Sequence, residues 1–201
     1  LGSNTTVDTN STTTNRADIT LAAVTGGDNT LTLTTENNVT GSDITASGAI
    51  SGVTTLTLAS VGGTATLSGD VDVTTLTVGN TVANLAFTGN GSSVANAVSF
   101  ANDGTLTLGG SNVIQTFTDG FNTDNVGSTV NVLGTMIGGD DFTFGDLTLD
   151  NSVTLSLAAG KVLTFSDDLT IGSNALTVTA DEINFTGGAN SVVGTGALTL
   201  K

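Results

Sequence analysis

The side chains of this chain that could do chemistry are almost all carboxylates. Asp140 and Asp141, Asp167 and Asp168, and Asp181 and Glu182 stand as adjacent acidic pairs. Two carboxylates facing each other across a sugar are the machinery of glycoside hydrolysis. Sugar grooves usually add aromatic platforms, and this chain has neither Trp nor Tyr. Polysaccharide lyases lean on Arg or Lys, and apart from Lys201 at the last position only Lys161 lies within the coils described below. The pairs therefore read as solvated corner residues, and no enzyme is expected. A second spacing suits a hard cation. Asp146 and Asp168 stand 22 apart in sequence, close to the period of the chain, and Asp150 and Asn151 lie nearby. Stacked carboxylates repel each other, and an oxygen-preferring ion such as Ca2+ relieves that repulsion. Asp146, Asp168 and Asp150 are thus the candidate calcium ligands, and no other cofactor is expected. The Gly-Gly-x-Gly-x-Asp calcium repeat is absent, although Gly138-Gly139-Asp140-Asp141 and Gly26-Gly27-Asp28 share part of it. EF-hand spacing is absent too.

What is missing excludes more. The 201 residues contain no Cys, His or Pro. That removes disulfides, thiolate nucleophiles and the commonest general base. Three basic residues against eighteen acidic ones leave a net charge of -15. Such a chain cannot neutralise a run of phosphates, so nucleic acid is not a partner. Anionic lipid would repel it, and no 18-residue apolar run offers membrane insertion. The chain starts at Leu1 with no visible signal peptide, and reads as a processed form or an excised fragment.

The elements that must position these residues are strands. Helix formers are scarce, whereas Val, Thr, Gly, Asn and Asp dominate. Alternating strings recur, among them Leu56-Thr57-Leu58, Leu106-Thr107-Leu108, Leu147-Thr148-Leu149 and Leu163-Thr164-Phe165. Each predicts a short strand with its apolar residues on one face and Thr on the other. Their spacing sets the architecture. Phe100, Phe121, Phe142 and Leu163 follow one another at steps of 21, with Ile183 after a step of 20, and Val78 and Leu58 extend the column backwards. Val113, Leu133, Leu155, Leu176 and Leu198 suggest a second column, and Phe144, Phe165 and Phe185 a third. Leu147 leads to Leu169, and Leu85 and Phe87 lead to Leu106 and Leu108. Three strands per period of about 21 residues predict an all-β, three-sided parallel β-helix, a β-solenoid of about nine coils. A β-sandwich is the structural alternative, with Asn90-Gly91, Asp103-Gly104 and Asp119-Gly120 as its turn signals. Residues 1–18 read as a polar tail, a cap or an exchangeable strand, and residues 19–201 as a single solenoid domain.

The repeated Leu-Thr-Leu, Leu-Thr-Val and Leu-Thr-Phe strings between Gly, Asn, Asp and Ser turns resemble the passenger regions of filamentous-haemagglutinin-like and autotransporter-type bacterial surface proteins. The resemblance covers about residues 19–200 and is one of architecture and composition. It implies an extracellular rod that attaches cells to surfaces or to one another, with cell-surface glycans as a partner class. It carries over no functional residues.

Two further patterns bear on function. Thr55-Leu56-Thr57 and Thr75-Leu76-Thr77 are 20 apart, and Thr105-Leu106-Thr107 and Thr177-Val178-Thr179 share the motif. Stacked outward Thr pairs could order water, as ice binding requires, but the pairs are not expected in consecutive coils. Asn4, Asn10, Asn38, Asn90 and Asn184 open Asn-x-Ser/Thr triplets, which matter only where the source glycosylates. Lastly, a solenoid has open strand edges at both ends. The strand pattern runs to Leu200, so either the natural chain continues or another subunit stacks there, head to tail or by strand exchange, into a filament. The expected role is therefore structural: a secreted, cell-surface filament or adhesin stalk.

Overall fold

The computed structural model describes residues 1–9, 16–36 and 40–201. Among these residues every regular element is a strand, and every strand pairing is parallel. The chain winds as a β-solenoid of about nine coils, each visiting three faces in turn.

Face 1 shows the winding most fully. Its inward column runs Ile19, Ile44, Ala65, Leu85, Leu106, Val130, Leu147, Leu169 and Val192, each paired in register with the next. Two positions further on, Leu67, Phe87, Leu108, Val132 and Leu149 form a parallel column. Face 2 carries Val53, Val73, Val94 and Phe117, then Met136, Leu155, Val178 and Leu200. Face 3 begins with Leu33, Leu58 and Val78 and ends with Val98, Phe121, Phe142, Leu163 and Ile183. The alternation explains the sides: inward Leu, Val, Ile and Phe are buried while intervening Thr and Asn meet water. Burying each large side chain contributes about 1.5–3 kcal/mol. The backbone ladder satisfies the polar groups that this burial would otherwise strand.

Most of the expected columns are present, and two are shifted. Phe144, Phe165 and Phe185 pair as read from the spacing. Phe100, however, is not the partner of Phe121. Val98 takes that place, and Phe100 lies two positions further on, packed edge-on against Phe117 and Phe121 at 6.2 and 6.0 Å. The step from Val98 to Phe121 is therefore longer by two than the one that follows, from Phe121 to Phe142. In the other column Leu176 does pair with Leu198, but Leu155 pairs with Val178, and Leu133 pairs with Gly109 in place of Val113. At Leu133 the cause is a bulge. The register slips between Leu133 and Thr135, with Gly109, Asn112 and Gly134 in the left-handed region. The slip also seats Gln115 in the core, stacked on Met136, where its Nε2 donates to the Phe87 and Gly89 carbonyls.

The segment Thr5–Asp8 forms a strand on face 3, paired with Leu31 to Thr34. At the corner from face 1 to face 2, Gly48, Gly69 and Gly89 stack in successive coils. A Cβ on Gly69 would lie 2.0 Å from the Gly48 carbonyl oxygen, and one on Gly89 would lie 1.9 Å from that of Gly69. Only glycine lets the coils approach there.

Candidate functional site

Asp146 and Asp168, singled out by spacing, stand at one corner, where the Asp146 carboxylate fastens one coil to the next. The residue just before each face 1 strand occupies one stacked position: Asp18, Asp43, Thr64, Asn84, Thr105, Thr129, Asp146, Asp168 and Ser191. Asp18 Oδ1 accepts the Asp43 N–H at 2.9 Å, and Asp43 Oδ1 accepts the Thr64 N–H at 2.8 Å. Asn84 Oδ1 accepts the Thr105 N–H at 2.9 Å, and Asp146 Oδ1 accepts the Asp168 N–H at 3.3 Å. The spacing of Asp146 and Asp168 is thus one rung of a side-chain ladder that caps backbone donors where the coil turns. Asp150 follows four residues after Asp146, just past the face 1 stretch Leu147 to Leu149 and roughly 13 Å away along an extended backbone, beyond the reach of an ion shared by the other two. Among the described residues no group of three or more His, Cys, Asp or Glu is arranged to hold a metal.

The pairs Asp140-Asp141 and Asp181-Glu182 also sit in hydrogen bonds, of which only that of Glu182 stays within one strand. Asp141 Oδ1 accepts the Val162 N–H at 2.8 Å, and Asp140 Oδ1 takes the Lys161 ammonium at 2.8 Å. The Lys161 bond holds the Asp140 carboxyl below its ordinary pKa, and the same bond raises the pKa of Lys161. Asp181 accepts the Gly160 N–H, and Glu182 accepts from the Asn184 amide. At the other end, the Asp43 N–H and then Arg16 hold Asp18 low. Arg16 bridges Asp18 and Asp43 across two coils. Asp70 differs from these. Its Oδ1 is shut from solvent without a donor, and desolvation, with the charge of Asp72 second, raises its pKa.

Of the triplet asparagines, Asn4 and Asn90 link one coil to the next, and Asn184 bonds within its strand. Asn4 Oδ1 accepts the Thr30 N–H, Asn90 Oδ1 accepts the Ile114 N–H, and the Asn184 amide donates to Glu182. Asn10 and Asn38 lie outside the described residues.

The Thr motifs do stack in consecutive coils, contrary to expectation. Thr30, Thr55 and Thr75 form one outward column on face 3, and Thr6, Thr32, Thr57 and Thr77 form its neighbour. The coil between Thr30 and Thr55 is longer than the one between Thr55 and Thr75, which hides Thr30-Leu31-Thr32 from a search at constant spacing. The face 1 triplet Thr105-Leu106-Thr107 and the face 2 triplet Thr177-Val178-Thr179 lie on other faces.

Six large apolar side chains are exposed among the described residues. Ile114 and Ile137 lie on face 2, and Phe185, Val192, Val193 and Leu200 lie in the last strands. In the sequence Phe185 and Leu200 read only as strand pattern, and Val192 and Val193 carry no signal of their own. Compared with family models, curated proteins and solved structures, the chain matches none.

Proposed function

We propose that this chain is a structural, non-catalytic rod that works outside the cell, as a section of a surface filament or of an adhesin stalk. The observation that carries the reading is the face 1 column, which runs in register without a break from Ile19 to Val192. Each coil is held to its neighbours by backbone bonds on up to three faces. Bending or shearing the rod must strain many of these bonds together. The acidic, Thr-rich exterior keeps neighbouring rods apart by like-charge repulsion. In the adhesin role, cell-surface glycans are the partner class. Antibody labelling of intact producing cells tests the reading: rods should be labelled and shaved off by external protease. Labelling only after lysis would refute it.

The Thr columns of face 3 favour a second reading, water ordering at an ice surface. Two in-register columns on one face present hydroxyls at the strand spacing. Thermal hysteresis of the purified chain, lost on Thr57→Lys, would support it. No hysteresis in the parent chain would end it.

A further inference from the structure

Face 2 carries a groove whose walls come from unequal corners. Three successive coils spend different lengths of chain in passing from face 1 to face 2. Val132 pairs with Leu108 before it and Leu149 after it, and Thr135 pairs with Ile114 and Thr154. The middle coil crosses with Leu133 and Gly134 alone, whereas its neighbours use residues 109–113 and 150–153. The longer corners therefore stand as walls beside the short one. Asn112, in the left-handed region, shapes the first wall. That wall lies so close that a Cβ on Gly134 would fall 2.5 Å from the Gly110 and Val113 carbonyl oxygens. The second wall is pinned from behind. The Ala175 N–H donates to Ser152 Oγ at 3.2 Å, and Asn174 Nδ2 donates to the Leu149 carbonyl at 2.6 Å. Two hollows of about 290 and 410 Å³ lie end to end along the strand Val130–Gly138.

Their linings differ. The first is polar, with Ser111, Asn112 and Asn151 on its walls and Thr135, Thr154 and Thr177 in register along its floor. No hydrogen bond among the described residues engages these three Thr hydroxyls or Asn151 Nδ2. The second is mostly apolar, with Ile137 at 38% exposure beside Leu157 and Ala158, and Thr116 and Ser156 on either side of Ile137. Ile114, 48% exposed, heads the floor column of the first. No charged residue lines either hollow.

We infer that this groove binds a neutral oligosaccharide, with sugar hydroxyls on the polar half and the C–H face of a ring against Ile137. The inference rests on the adhesin form of the rod reading and gives its glycan partner a place. A sugar presents hydroxyls around a partly apolar ring, and the mixed lining answers both. Charge selects a neutral glycan. A chain of net charge -15 repels a uronic-acid or sulfated polymer, and no cation in the groove offsets that. A peptide is the poorer occupant. It binds a sheet by adding a strand to a free edge, and the strand along this groove is already paired on both sides.

Chemical-shift mapping by NMR on the labelled chain tests the inference. The neutral probes are β-glucan, xylan and mannan oligosaccharides, with alginate oligosaccharides as the anionic probe and an extended peptide rich in Val and Thr as the third. A neutral probe at millimolar concentration should shift resonances within residues 111–118, 134–139 and 151–158. Thr154→Lys, which fills the floor, should weaken that binding about tenfold. Asn112→Ala, on an exposed wall, should weaken it in the same direction and keeps the test open if the lysine variant fails to fold. Thr164→Lys, outward on face 3, should leave it unchanged. Circular dichroism should match the parent's in each variant compared. The inference is overturned if no neutral probe shifts these residues, or if the shifts centre on another face. Tighter binding of alginate or of the peptide, or binding indifferent to the groove substitutions, would overturn it equally. None of these outcomes touches the rod reading, which stands or falls on surface labelling.

Discussion

The coils around residues 50–87 and those from Phe121 to Phe185 solve the same closure problem differently. In the first region two strands, Ile50–Leu67 and Val71–Phe87, pass around the corners without a break and pair at twelve positions. Their interior is aliphatic until Phe87, and the face 1 steps in sequence from Ile44 to Leu106 are 21, 20 and 21. In the second region face 3 is built from short strands such as Phe121–Asn122, Phe142–Phe144 and Val162–Phe165. There the coil is filled by rings: Phe121 stacks on Phe142 at 4.1 Å and Phe144 on Phe165 at 5.9 Å. The face 1 steps from Leu106 are 24, 17, 22 and 23, whereas face 3 holds 21, 21 and 20 from Phe121. Backbone continuity closes the first region, and side-chain volume closes the second. The corner from face 3 to face 1 absorbs much of the variation.

Breaking the aromatic region should have the largest effect. Phe121→Asp puts a charge among the rings of Phe100, Phe117, Phe142 and Phe144, with no partner to offset its desolvation, and should abolish folding by circular dichroism. Next, Phe142→Ala should cost about 4 kcal/mol and Leu58→Ala about 3 kcal/mol in urea unfolding. A reversed order would contradict closure by volume in the second region. Gly69→Ala should cost about 2–3 kcal/mol, because the coil contact there has no room for a methyl group. A short insertion after Asn125, in the variable corner, should cost under about 1 kcal/mol. The same insertion after Asn80, inside the long strand, should cost clearly more; equal costs would erase the distinction between the regions.

The smallest effects are electrostatic and opposite in sign. Asp140 has a lowered folded pKa, so its contribution is present above the ordinary carboxyl range and is lost as pH falls through the folded value. Asp140→Asn should therefore lower the melting temperature at neutral pH and have little effect in acid. Asp70 has a raised folded pKa, so the stability it permits is present below the ordinary range and is lost as pH rises through the folded value. Asp70→Asn should raise the melting temperature at neutral pH, and the gain should vanish in acid. Like signs for the two variants at pH 7 would refute these assignments.

The regular parts of this fold are legible from spacing because a parallel solenoid repeats its inward residues at nearly constant steps. Phe142, Leu163 and Ile183 declare themselves that way. Phe100 and Val113 mislead because bulges and corner loops change the step without changing the residue types. The face 3 Thr columns escape notice for the same reason, since one longer coil separates Thr30 from Thr55. Asp146 and Asp168 do stand in adjacent coils as their spacing suggests, but spacing alone could not show that one carboxylate caps the other residue's N–H.

Interstrand contacts between backbone protons, measured by NMR on the labelled chain, test the two-region closure most directly. Contacts should link Phe121, Phe142, Leu163 and Ile183 on face 3, at the nearly even steps of that column. They should also link Leu106, Val130, Leu147, Leu169 and Val192 on face 1, at the uneven steps of 24, 17, 22 and 23. A single constant step on both faces, or contacts of antiparallel type, would contradict it.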